Sequence, residues 1–126
     1  MTAEPLTPPQ IELKLRQIFA DLDRAQTALA VARDTEVAAR HEYLRAKRKA
    51  MLSGECPKVA RGGWTTSERD SWVEQQCEDL ELEAVKAEAF RAAAADHLKV
   101  LYTQAEIARS LSASVRASLG LAGAIG

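Results

Sequence analysis

Helix breakers are confined to three places in this chain. Pro5, Pro8 and Pro9 lie near the start, Gly54, Pro57, Gly62 and Gly63 in the middle, and Gly120, Gly123 and Gly126 at the end. Two long stretches, 10–53 and 64–119, contain neither glycine nor proline. Inside a helix these residues cost about 1 and about 3 kcal/mol relative to alanine. Alanine itself supplies 24 of the 126 residues. This pattern predicts an all-α protein with two long helices joined by one loop.

The boundaries follow from local signals. Residues 1–9 form a Pro-rich lead-in, with Pro8 and Pro9 suited to a first helical turn. The first helix is expected over 10–53, a Gly-rich basic loop over 54–64, the second helix over 65–119 and a flexible apolar tail over 120–126. Thr65 and Glu68 have the spacing of a capping box, which marks the second start.

Both helices repeat apolar positions at alternating intervals of three and four. In the first the seam reads Ile11, Leu15, Ile18, Leu22, Ala25, Leu29, Ala32, Glu36, Ala39, Tyr43, Ala46 and Ala50. The second reads Val73, Cys77, Leu80, Ala84, Ala87, Arg91, Ala94, Leu98, Leu101, Ala105, Ala108, Ser112, Val115 and Leu119. Such sustained spacing is coiled-coil patterning. In an antiparallel pairing, facing residues have numbers with a constant sum. A sum of 123 sets large against small in most layers, as interdigitation requires. Glu36 and Arg91 then fall one layer apart and can pair. The expected architecture is a long antiparallel two-helix coiled-coil hairpin of about 65 Å.

One mutual interface leaves apolar residues over. Ala30, Val37, Leu44 and Met51 form a second column on the first helix. Val100, Ile107 and Leu111 do so on the second, with Leu82, Val85 and Phe90 further back. Exposed stripes of this kind mark association, here with further copies of the chain in a homo-oligomeric helical bundle or ring.

No stretch is long and apolar enough for a transmembrane helix, and the first residues do not read as a secretory signal. No membrane partner is expected. Two cysteines, Cys56 and Cys77, make no disulfide framework and point to a reducing cytoplasm. No phosphate loop, nucleophile elbow or metal-spaced His/Cys set occurs, so no enzyme, cofactor or metal is expected.

Charge is more informative locally than in total, where it is −1. Seven basic residues lie between Arg40 and Arg61, opposed only by Glu42 and Glu55, while nine acids lie between Glu68 and Asp96. In the antiparallel register Lys49 comes near Glu74 and Arg45 near Glu78, so the helix charges can zip the hairpin. Lys58 and Arg61, in the loop, have no such partner, and Trp64 follows directly, with Trp72 just beyond. Cations and aromatic rings on a Gly-rich loop suit single-stranded nucleic acid, with phosphates on the charges and bases on the rings. A Trp that only caps the hairpin is the other physical reading.

The layout as a whole has a counterpart. A long helix ends in the basic run Arg45-Ala-Lys-Arg-Lys49, breaks at Ser53-Gly54 and passes through a Gly-rich basic loop. A polar cap restarts a helix that carries Leu98-Lys-Val100 and ends near Leu119-Gly120. Over about residues 40–120 this resembles the UvsY-type recombination mediators of bacteriophages. The loop here is the longer one and contains Cys56, Pro57 and Trp64. The resemblance implies a non-enzymatic, ring-like homo-oligomer in the host cytoplasm that binds single-stranded DNA. It implies a protein that helps a recombinase load in place of single-strand-binding protein. DNA contact would fall to Arg45, Lys47, Arg48, Lys49, Lys58 and Arg61. Oligomerisation would fall to the region of Ile107, Leu111, Val115 and Leu119. The rival reading is a helical protein-interaction or assembly module, an assembly chaperone or host-factor binder, with no nucleic-acid role.

Overall fold

The computed structural model describes residues 7–125, with side chains through Leu121. The first six residues of the lead-in and Gly126 of the tail lie outside the described residues. Three helices are present: α1 over Pro8–Leu52, α2 over Thr66–Gln76 and α3 over Glu78–Ile125. There is no strand among the described residues; one isolated bridge pairs Val59 with Trp64.

The start of α1 is fixed by a capping box that the breaker pattern does not predict. The Thr7 hydroxyl accepts from the Gln10 backbone N–H at 3.4 Å, and the Gln10 side chain accepts from the Thr7 N–H at 2.8 Å. Pro8 and Pro9 occupy the first turn, where their missing donors cost nothing. The helix therefore begins at Pro8 rather than residue 10.

The second expected helix is divided in two. Cys77, at φ −110° and ψ 9°, leaves the helical region, and its N–H is shared between the carbonyls of Val73 and Glu74, both at 3.2 Å. Its own carbonyl accepts from Glu81 at 2.9 Å and so opens α3. Neither glycine nor proline causes this break. Glu78, Asp79 and Glu81 fill the first turn of α3, and carboxylates there are stabilised by the positive end of the helix dipole. At its far end α3 continues through Gly120 to Ile125 instead of stopping at Leu119. Gly120 keeps a negative φ, so its cost of about 1 kcal/mol does not end a helix flanked by alanine and leucine.

The described residues pack into two compact units, 7–29 with 94–125, and 30–93. In the first, Ile18, Leu22 and Ala25 of α1 form one cluster with Leu101, Ala105 and Ala108 of α3, flanked by Leu15 and Leu98. Gln26 donates to the Tyr102 hydroxyl at 2.7 Å. In the second, Arg91 Nε donates to Glu36 Oε2 at 2.6 Å, the polar pairing expected from the seam. The hydrogen bond to Glu36, and then the Glu36 charge, push the Arg91 guanidinium further up from its ordinary value, with Glu88 adding to them and burial opposing. In each unit the residues that meet run in opposite numerical directions along α1 and α2–α3.

Every seam position is buried or half-buried except Leu119. Its partner at a sum of 123 would be residue 4, outside the described residues. Val115, assigned to the interface between copies, is half-buried and shares a hollow with Pro8 and Ile11. It is a seam residue first. The remaining interface residues, Val37, Leu44, Met51, Val100, Ile107, Leu111 and Leu119, are exposed. No helix among the described residues is long and apolar enough to cross a membrane.

The expected capping box at Thr65 is present in full, with Thr65 Oγ1 accepting from the Glu68 N–H at 3.2 Å and Glu68 accepting from the Thr65 N–H at 3.3 Å. An 11-residue helix is too short to persist on propensity alone. Thr65→Ala should therefore lower stability by about 1 kcal/mol, read as a smaller urea midpoint by circular dichroism. An unchanged midpoint would show that packing alone holds α2.

Candidate nucleic-acid interface at the 53–65 turn

Between α1 and α2 the chain forms an ordered turn. The Ser53 N–H donates to Ala50, the Cys56 N–H to the Ser53 carbonyl at 3.1 Å, and the Glu55 N–H to the Ser53 hydroxyl at 3.2 Å. Pro57 is buried, and the half-buried Cys56 thiol lies 3.8 Å from the Pro57 carbonyl. Further on, the Gly63 N–H donates to Ala60 at 3.0 Å and the Ala60 N–H to Trp64 at 3.3 Å. Gly62, at φ 80°, is the third residue of the turn 60–63. Positive φ at that position is the requirement of a type II turn, which glycine meets without strain. Arg61 is thereby held at the apex, exposed.

Lys58 is exposed on the same loop, and Arg45, Arg48 and Lys49 are exposed on the last turns of α1. Lys47 is half-buried, its ammonium 6.0 Å from the centre of the Tyr43 ring. The charge zip expected between the helices is not formed. Among the described residues the ion pairs are Arg24–Asp21, Arg69–Asp70, Lys86–Glu83 and Arg91–Glu36. Lys49 with Glu74 and Arg45 with Glu78 are not among them. Long side chains at the rim of a helix pair gain little from an exposed ion pair and lose rotamer freedom to hold it. The six cations of the 45–61 segment thus have no ion-pair partner among the described residues.

Trp64 is exposed, but the basic residues are not its neighbours in the groove it lines. An open groove of about 720 Å³ is walled by Trp64, Trp72, Glu68, Glu74, Glu78 and Glu81, with two serines and a glutamine between them. The break at Cys77 lets residues on both sides of it, from α2 and from the first turn of α3, share this concave wall. Sequence reasoning pairs Glu74 and Glu78 with the basic run and misses the groove. Part of its signal is present in α2, where Glu68, Ser71, Trp72 and Gln75 recur at intervals of three and four, with Trp64 before the helix and Glu78 after the break. A base stacked on the groove side of Trp64 would meet carboxylates, so phosphate contact rests on the six cations rather than on this ring.

Comparison with protein-family models, with curated proteins and with solved structures finds no match for this chain.

Proposed function

We propose that this chain is a non-enzymatic DNA recombination or replication accessory protein of the bacteriophage mediator type. In this reading it is a long antiparallel coiled-coil hairpin that assembles into a homo-oligomeric bundle or ring in the host cytoplasm. It binds single-stranded DNA through Arg45, Lys47, Arg48, Lys49, Lys58 and Arg61, and it helps a recombinase displace single-strand-binding protein. The observation that carries the reading is the set of unpaired cations around an ordered, glycine-bearing turn. Cations without acidic partners can exchange their counterions for phosphates, and that release drives binding. The exposed stripes support the oligomer, in which several basic turns act together and weak contacts add by avidity.

The second reading is a protein-interaction or assembly module without a nucleic-acid role. It is favoured by the acidic, aromatic groove, which repels phosphate and suits a basic partner. Anisotropy of a labelled single-stranded oligonucleotide separates the two. Binding should fall steeply between about 50 and 200 mM salt. Lys58→Ala with Arg61→Ala should weaken it and reduce the logarithmic salt slope by about 1.4, or about 0.7 for each phosphate no longer neutralised. Absence of binding at the lower salt, with the oligomer intact, favours the interaction module.

A further inference from the structure

We propose that the Trp64–Trp72 groove seats the Arg61 side chain of a second copy of this chain, reciprocally, so that two copies join through their 60–64 turns. The groove has aromatic faces and four carboxylates and no cation in its wall. That chemistry recognises a guanidinium, which stacks on a Trp face while its N–H groups reach carboxylate oxygens. The chain presents such a group at the right place. Arg61 stands exposed at the apex of a turn, with no ion pair of its own among the described residues. Arg61 and Trp64 are three residues apart, on either side of the Gly62–Gly63 bend. A two-fold axis beside this bend brings the Arg61 of each copy to the groove of the other. The two patches on one copy are opposite in sign, as a self-complementary, isologous contact requires. Lys58, exposed on the same loop, is a second cation available to such a wall. This contact is polar and separate from the apolar stripes; it does not rest on the DNA-binding reading, and an Arg61 seated in it is withdrawn from phosphate, which leaves DNA contact to the cations of α1.

The chain supplies its own reporter, because its only two tryptophans are those of the groove. Intrinsic emission of the full chain should shift with dilution and with added salt as the groove empties. Arg61→Glu should remove the concentration dependence, raising the apparent dissociation constant at least about tenfold, since it sets like charges against each other. Glu74→Lys with Glu78→Lys should do the same. Mixing the two variants should restore the shift, because each supplies the charge the other lacks. Arg61→Lys should retain part of it. Circular dichroism checks that each variant is folded, and the emission titrations contain no nucleic acid, so the DNA-binding reading does not enter them. Emission independent of wild-type concentration and of salt, or charge reversals that leave the shift unchanged, would overturn the proposal. So would failure of the mixed, folded variants to restore it.

Discussion

Replacing Leu22 by alanine is expected to lower the unfolding free energy by about 2–5 kcal/mol, among the largest effects available to any single side chain in this molecule. The core of the first unit is thin. Three of its six buried members, Ala25, Ala105 and Ala108, carry only a methyl group, so Ile18, Leu22 and Leu101 supply nearly all the apolar volume. In the register that sums to 123 Leu22 faces Leu101, so its truncation removes one half of the largest layer of this cluster. Leu13→Ala is the control. Leu13 is 58% exposed on the same stretch of α1, and its loss should change stability by no more than about 0.5 kcal/mol. Urea unfolding followed by circular dichroism measures both. Equal effects at Leu22 and Leu13 would mean that the 3-4 seam is not where the chain buries its apolar side chains.

That seam is the most legible part of the sequence. The spacing from Ile11 to Ala50 and from Val73 to Val115 picks out residues that are all buried or half-buried, because a sheltered strip along a helix is set by its period. The Glu36–Arg91 pair follows from the same register. The features that periodicity does not reveal have other physical causes. The Thr7–Gln10 box is written in the spacing but obscured by the prolines between them. The break at Cys77 needs no special residue: it costs one shared backbone hydrogen bond, and the acidic first turn of α3 offsets the loss. Charges are the least legible. Opposite signs at facing positions suggest a zip at Lys49–Glu74 and Arg45–Glu78, yet exposed pairs are decided by rotamer entropy and solvation as much as by register. The acids instead shape a groove with Trp64 and Trp72, which depends on how α2 and α3 are bent at Cys77 and not on any periodicity.

Self-association carries the second large expectation. Ile107→Lys with Leu111→Lys should turn an oligomer into a smaller species while leaving helicity nearly unchanged. Ile107 and Leu111 are 57% and 47% exposed on α3, and they line an open hollow of about 400 Å³ beside the Ile18–Ala108 cluster, with Lys14, Gln17 and Asp21 on its α1 side. Because so much of each side chain is already in water, its removal costs the isolated chain little. Burial against another copy is worth about 1.5–3 kcal/mol for each side chain fully covered. Only about half of each is left to cover, so losing two should weaken association by about 10- to 10²-fold, before any charge repulsion. Light scattering at matched concentration gives the mass, and circular dichroism gives the fold. The apolar contact should also persist or strengthen in high salt, unlike the Arg61 contact, because apolar burial is not screened. Two outcomes would remove the stripes from the assembly: a wild-type chain that is monomeric at every concentration, or a double variant of unchanged mass. In the first case the cations of the 45–61 segment would act singly, without the avidity that a gathered set of turns provides; in the second, another surface would hold the copies together.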